Sequence, residues 1–257
     1  MKISTPHNSR SIRTQLNRME SYLRRYLAVR GIYSNFAQKY FRLTVMKKTP
    51  DKLLAEKLLH ISAIQLQPES PFIWASGWNS PIYTDIRKAL SYVDVRNFIK
   101  IELARKILEC FPEIDAVAGV AKGAVAFSAI AADALGMPYA FIRSTPKDHG
   151  LENMIEGNLK PGWRVALIED LVSTGGSCIS SVETIRNAGC EVEGIITVFD
   201  FEFPLATQRF NKENITMKSL LTYSAMIDVA TETHYLNPDD VETLREWRED
   251  PASWTPR

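Results

Sequence analysis

Short apolar runs alternate with longer stretches of helical spacing along most of this chain. Four runs have the length and composition of buried strands: residues 116–120, 139–142, 165–168 and 194–198. Apolar residues recur at helical spacing in other stretches: residues 51–61, 93–109, 123–135 and the segment that follows Ser177. Strands that alternate with helices predict an α/β domain with a parallel sheet.

Cap and turn residues mark where several elements begin and end. Thr49 and Pro50 are residue types preferred at a helix start, and Gly136 suits the end of the Ala-rich helix. Residues 72–85 carry the Gly and Pro spacing of a hairpin. Residues 144–157 are polar and lack hydrophobic periodicity, which predicts a long loop. A loop of that length inside a domain is more often functional than filler.

Two carboxylates and a glycine-hydroxyl turn follow the predicted strand at residues 165–168. Glu169 and Asp170 come first, and residues 173–177 then read Ser-Thr-Gly-Gly-Ser. Backbone N–H groups at a helix start hold phosphate together with hydroxyls, and glycine lets the backbone approach it. The carboxylates stand where they can accept hydrogen bonds from a sugar diol. We therefore predict a phosphosugar site, whereas the P-loop and GxGxxG patterns are absent from the sequence.

Basic residues in two other segments suit a second anionic group. Arg143, Lys147 and His149 lie in the predicted loop, where positive donors can neutralise a leaving pyrophosphate. Lys122 lies in a Gly-flanked turn that opens a helix after the strand at residues 116–120. A solvated basic loop and a surface lysine are the ordinary alternatives for these residues.

Charge is unevenly distributed, although the 257 residues carry a net charge of only +1. Residues 1–48 hold eleven Lys and Arg but one acid, so a basic extension at residues 1–45 precedes a domain at residues 46–257. The extension is typical of a misassigned start, a transit peptide or a nucleic-acid arm, and the first is favoured. Three cysteines without metal-ligand spacing indicate reduced thiols, and no apolar run is long enough to span a bilayer.

Three segments carry a resemblance to known enzymes. Residues 165–177 resemble the phosphoribosyl pyrophosphate (PRPP) motif of type I phosphoribosyltransferases, a buried strand, two acids, two further residues and Ser-Thr-Gly-Gly-Ser. The loop Arg-Ser-Thr-Pro-Lys-Asp-His-Gly at 143–150 and the hairpin Ser-Gly-Trp-Asn-Ser-Pro at 76–81 resemble segments of orotate phosphoribosyltransferases. The resemblance covers roughly residues 50–198 and a C-terminal helix. It implies the type I fold, in which helices flank a central mostly parallel sheet, with a small N-terminal hood and a long catalytic loop.

The resemblance also implies a reaction and the residues that perform it. Orotate and PRPP would give orotidine 5′-monophosphate and pyrophosphate, with Lys147, His149 and Asp170 as catalytic residues. PRPP would contact the acids, the turn and the basic residues: Lys122, Arg143, Lys147, His149, Glu169, Asp170, Leu171, Val172, Ser173, Thr174, Gly175, Gly176 and Ser177. Orotate would contact Ser76, Tyr83, Arg87 and Thr174.

The expected cofactor, partners and location follow from the same resemblance. Mg²⁺ would arrive on the pyrophosphate without a dedicated set of protein ligands, because it usually takes few ligands from protein. A cytoplasmic homodimer would share the catalytic loop between its subunits. Neither nucleic acid nor a membrane is an expected partner.

Three positions depart from one branch of the family. Ala75 and Ser144 stand where that branch has lysines, and Phe201 lies where it has an arginine that binds orotate. The orotate carboxylate would then pair with Arg87, whose planar fork matches a carboxylate, unless Arg87 forms only a surface ion pair. Another base phosphoribosyltransferase and a PRPP-sensing regulator of the same fold are the alternatives. The hairpin argues against the first, and the intact loop at 147–149 argues against the second.

Overall fold

The computed structural model describes residues 48–74, 76–145 and 154–256. In these ranges the chain forms seven α-helices: α1 (Pro50–His60), α2 (Val93–Cys110), α3 (Val125–Leu135), α4 (Gly176–Asn187), α5 (Pro204–Lys212), α6 (Tyr223–Glu232) and α7 (Val241–Glu249). They also contain ten strands: β1 (Ile64–Leu66), β2 (Phe72–Ile73), β3 (Asn79–Ser80), β4 (Ile82–Thr84), β5 (Ala116–Val120), β6 (Tyr139–Ile142), β7 (Ile155–Gly157), β8 (Arg164–Val172), β9 (Glu191–Asp200) and β10 (Met217–Thr222). Short 3₁₀ helices span Ile86–Ser91 and Pro238–Asp240.

A six-stranded sheet in the order β10-β9-β8-β5-β6-β7 forms the centre of the domain. Its strands are parallel except β7, which runs antiparallel to β6. All five residues of β5 are buried, as expected for a central strand covered on both faces. Two small antiparallel sheets, β1 with β4 and β2 with β3, make up the hood that precedes the main sheet.

Helix boundaries follow the cap chemistry read from the sequence. α1 begins at Pro50, whose missing N–H costs nothing at a first helical position. Gly136 ends α3 with φ of 66°, a left-handed conformation that glycine adopts without steric cost. No helix among the described residues is long and apolar enough to cross a membrane.

The structure corrects several of the predicted boundaries. The loop predicted at 144–157 is too long at its end, because residues 155–157 form β7 on the open edge of β6. The strand predicted at 165–168 continues to Val172, so Glu169 and Asp170 lie within β8 rather than after it. Glu169 pairs with Thr197 of β9 and Leu171 pairs with Phe199, and this pairing keeps the strand extended past the two acids.

Several elements were not predicted at all. These are β1, β10, α5 and α6. The two strands are short and depend on their neighbours, since β1 pairs with β4 and β10 pairs with β9. The predicted strands at 116–120 and 139–142 have the bounds expected, whereas α3 begins two residues later than predicted, at Val125.

Candidate active site

The candidate active site lies where two neighbouring strands of the main sheet end. β5 and β8 are adjacent, but the chain continues from β5 to β6 on one side and from β8 to β9 on the other. Such a reversal opens a crevice at the carboxyl ends of parallel strands. A cavity of about 580 Å³ lies there. Its lining comprises Arg87, Ala121, Lys122, Gly123, Ser144, Glu169, Asp170, Leu171 and residues 173–177.

A tight turn connects β8 to α4 and forms one wall of the cavity. Gly175 has φ of 76°, a left-handed conformation that favours glycine, and a Cβ added there would lie 3.0 Å from the Phe210 ring, which would have to shift. α4 begins at the next residue, Gly176. The first N–H groups of a helix lack intrahelical partners and carry the positive end of its dipole. The turn therefore presents several donors to an anion in the cavity.

Glu169 and Asp170 form a coupled pair of carboxyl groups at the base of the cavity. Glu169 is 4% exposed, and it accepts hydrogen bonds from Ser177 Oγ at 2.9 Å and from the backbone N of Asp170 at 3.2 Å. Burial, and then the neighbouring Asp170, raise the pKa of Glu169 to about 8. Burial also raises the pKa of Asp170. Two like charges this close do not both ionise readily, so the pair holds a proton at neutral pH.

The turn after β5 supplies the opposite wall. The peptide bond between Ala121 and Lys122 is cis, and Lys122 is exposed in the cavity lining. Gly123 faces the Asp170 carboxylate so closely that any Cβ at this position would overlap it. The absence of a side chain at residue 123 therefore lets β8 present Asp170 to the cavity.

Arg87 reaches the cavity from the 3₁₀ helix that follows β4. Its Nε donates to Asp85 Oδ1 at 2.8 Å, and 58% of its side chain is exposed. Asp85, and more weakly Asp170, raise the pKa of Arg87. The guanidinium is thus anchored by one nitrogen, and the structure shows no hydrogen bond from its two terminal nitrogens to any described residue. Arg87 thus forms an exposed ion pair, as its ordinary alternative predicts, and also lines the cavity.

Some predicted PRPP contacts lie elsewhere. Arg143 forms an ion pair with Glu156 at 3.2 Å and donates from Nε to the Thr145 carbonyl, away from the cavity lining. Val172 is buried in the core of the sheet. The other predicted PRPP residues that the structure describes all line the cavity. Lys147 and His149 lie outside the described residues.

The four residues predicted to contact orotate are divided between the cavity and the hairpin. Thr174 and Arg87 line the cavity, but Ser76 and Tyr83 do not. Tyr83 packs its ring against Phe72, with centroids 5.5 Å apart. Ser76 Oγ accepts a hydrogen bond from the backbone N of Trp78 at 3.4 Å.

Aromatic residues anchor the hairpin to the domain. Trp74 packs against Phe201 and Trp247, with ring centroids 5.2 and 5.4 Å away. Trp247, from α7, also donates from Nε1 to the backbone O of Asn79 at 2.9 Å. Phe201 is 1% exposed and belongs to this cluster, so the position expected from the family to hold an arginine has a structural role here.

Sequence reasoning missed two residues that shape the site. Arg209 of α5 donates from Nη1 to the Thr174 carbonyl at 2.8 Å, and no motif signals it because α5 is distant in sequence. Gly123 follows Lys122 in the Gly-flanked turn, and no local motif signals its role. Its proximity to Asp170 depends on the pairing of β5 with β8.

A glycine-hydroxyl turn and an acidic pair at the switch point of a parallel α/β sheet are the features of a type I phosphoribosyltransferase. The family described as phosphoribosyl transferase domain matches residues 94–219. An orotate phosphoribosyltransferase of Bacteroides thetaiotaomicron is 53% identical over 207 residues, covering 80% of this chain and 98% of that protein. One of Enterococcus faecalis is 44% identical over 79% of this chain and 97% of that protein. The chain belongs to the orotate phosphoribosyltransferase family.

Solved structures show the same fold. The orotate phosphoribosyltransferase of Aeropyrum pernix superposes with a TM-score of 0.63 at 24% identity, covering 72% of this chain and 99% of that one. The enzyme of Mycobacterium tuberculosis in complex with PRPP gives a TM-score of 0.55 at 24% identity, covering 69% and 99%.

Proposed function

We propose that this protein transfers the phosphoribosyl group of PRPP to orotate, which yields orotidine 5′-monophosphate and pyrophosphate. The observation that carries the proposal is the joint position of the phosphate turn and the Glu169–Asp170 pair in one cavity. Relatives named for this reaction are 53% identical over nearly their whole length, which supports the same substrates here.

Each part of PRPP has a matching part of the cavity. The turn at residues 173–177 holds the 5′-phosphate through N–H and hydroxyl donors. Glu169 and Asp170 accept hydrogen bonds from the ribose hydroxyls. When the bond at C1 breaks, the ribose becomes cationic, and the remaining negative charge of the acidic pair stabilises it.

The leaving pyrophosphate is polyanionic and needs positive groups around it. Lys122 lines the cavity and is placed to contact it. Lys147 and His149, outside the described residues, supply further positive donors and exclude water from the cation. Arg143 lies at the start of this loop, where it forms an ion pair with Glu156. Arg87 pairs with the orotate carboxylate through its terminal nitrogens.

The cavity suits Mg²⁺ that is carried by the substrate. Mg²⁺ commonly binds one or two protein carboxylates and takes its other ligands from phosphates and water. Asp170, which is half-buried and faces the cavity, offers such a carboxylate. The ion would neutralise charge on the leaving pyrophosphate.

We further propose that the enzyme is a homodimer that shares its catalytic loop and acts in the cytoplasm. Cys110, Cys178 and Cys190 are all free thiols, which supports a reducing compartment. The domain comprises residues 46–257, and residues 1–45 are an extension outside it.

The deciding experiment measures consumption of orotate with PRPP and Mg²⁺, beside uracil, adenine and hypoxanthine. We expect turnover of orotate alone, and a loss of at least about 100-fold in Asp170→Asn, in the range seen for removal of an electrostatic group. Circular dichroism should show the same fold in the variant. Turnover of another base, or binding of PRPP without turnover, would contradict the proposal.

A further inference from the structure

Behind the phosphate turn lies an arginine that does not touch the cavity. Arg209 on α5 is half-buried, and its Nη1 donates to the backbone O of Thr174 at 2.8 Å. Two neighbours on the same helix, Ala206 and Phe210, pack against Gly175. α5 thus supports the turn from the side opposite the cavity, and Arg209 provides its polar contact.

The hydrogen bond from Arg209 fixes a donor on the other side of the turn. The Thr174 carbonyl shares a peptide unit with the N–H of Gly175, and in a trans peptide these two groups point in opposite directions. That N–H makes no hydrogen bond to any described residue, and Gly175 lines the cavity. A charged donor on the carbonyl also polarises the peptide, which strengthens its N–H as a donor.

The charges around Arg209 favour an anion at this turn. Its Nη1 lies 3.6 Å from the position that a Cβ would occupy on Gly176, the first residue of α4. A positive charge next to the positive end of a helix is unfavourable by itself. Among the described residues Arg209 has no carboxylate partner within ion-pair distance. An anion in the cavity would offset this repulsion.

We propose that Arg209 is a positioning residue for the 5′-phosphate of the phosphosugar, acting through the Thr174–Gly175 peptide. The inference rests on the proposed function of this cavity as a PRPP site. In this proposal α5, a helix that does not line the cavity, controls the affinity for the 5′-phosphate end of the substrate. The pyrophosphate end, held by other segments, is independent of it.

Arg186 offers a matched control. It lies on α4 and donates to the backbone O of Glu213, just after α5, at 3.2 Å. Arg186→Met therefore removes an arginine-carbonyl bond between the same two helices, but at the end remote from the turn. Arg209→Met removes the bond at the turn, and Arg209→Lys keeps the charge without the planar fork.

Isothermal titration calorimetry with ribose 5-phosphate and with inorganic pyrophosphate separates the two ends of the substrate. In Arg209→Met we expect ribose 5-phosphate to bind about 10- to 100-fold more weakly, the range for a lost bond to a charged group. Pyrophosphate affinity should stay within about twofold, as for independent sites. Arg209→Lys should recover part of the loss, and Arg186→Met should match the wild type.

Two results would overturn the proposal. Equal weakening of both ligands would show general damage to the site, and identical affinities in Arg209→Met and Arg186→Met would show no role at the turn. If Arg209→Met does not fold, Arg209→Lys gives the same comparison of the two ligands, with a smaller expected loss of affinity for ribose 5-phosphate. Since these titrations need no orotate, inactive wild-type enzyme would count against the proposed function without deciding the role of Arg209.

Discussion

Glu169 shows how one buried residue links stability to pH. A carboxyl group whose pKa is raised on folding, here to about 8 from an ordinary 4.5, binds its proton more tightly in the folded state. The stability that this carboxyl group contributes is therefore fully present at low pH. It is lost as the pH rises from about 4.5 to about 8. We predict that Glu169→Gln, which cannot ionise, loses less melting temperature between pH 5 and 8 than the wild type.

Glu183→Gln is the control for this pH series. Glu183 is exposed on α4, so its replacement should leave the wild-type slope unchanged. If the melting temperatures of the wild type and Glu169→Gln fall equally between pH 5 and 8, Glu169 is not the group that holds the proton.

At the scale of a single residue, the role in substrate choice that we propose for Arg87 can be tested. Orotate differs from uracil by a carboxylate, and Arg87 lines the cavity with its two terminal nitrogens unbonded to described residues. We predict that Arg87→Ala raises the KM for orotate by about 10-fold or more, because it removes a charge-assisted bond. The KM for PRPP should move little.

Steady-state kinetics with each substrate varied in turn checks this prediction. Arg87→Lys, which keeps the charge, should fall between the wild type and the alanine variant. A dominant effect on PRPP would instead assign Arg87 to the acidic pair, because its charge already interacts with Asp170.

At the scale of elements, α7 holds the hairpin that precedes the site. Trp247 is fully buried, and its Nε1 donates to the Asn79 carbonyl. Trp247→Phe keeps an aromatic ring but loses this bond. We predict a loss of about 1 kcal/mol in the free energy of unfolding and a higher KM for orotate, with the KM for PRPP unchanged.

Tyr223→Phe serves as the control for the α7 variant. Tyr223 belongs to the same aromatic cluster, and its hydroxyl donates to the Leu244 carbonyl at 2.9 Å without touching the hairpin. It should cost similar stability and leave orotate binding intact. If both variants bind orotate equally well, α7 contributes stability alone.

For the whole molecule, sharing of the loop between subunits has a direct test. Lys147→Ala and Asp170→Asn each remove a different part of one active site. If the loop acts across a dimer, a heterodimer of the two variants contains one site with both residues intact. Activity assays on purified heterodimers should then show about half of the wild-type activity per dimer. Activity no higher than in the parent variants would place the loop in its own subunit's site.

The extension at residues 1–45 provides the second whole-molecule prediction. Pro50–Arg257 forms a compact unit, and the curated relatives match about 80% of the chain over nearly their whole length. A chain that begins at Met46 should therefore have the melting temperature and kcat/KM of the full chain. Loss of either would make the extension part of the working enzyme.

Local chemistry explains which features were readable from the sequence. The strands at 116–120 and 139–142, the start of α1 and the end of α3 depend on apolar runs and cap residues within a few positions. The turn at 173–177 was also readable, because its glycines and hydroxyls are consecutive. β7 was missed, because only the open edge of β6 makes those three residues a strand.

The sequence by itself determined the class of chemistry, since the acids, the turn and the basic loop are local motifs with a fixed spacing. The tertiary structure decided which residues meet. It brought Arg87 to the cavity, directed Arg143 to Glu156, buried Phe201 in an aromatic cluster, and placed Gly123 against Asp170 and Arg209 beneath Thr174. The physical reason is that strand order and helix packing join segments far apart in the chain, and periodicity carries no record of those partners.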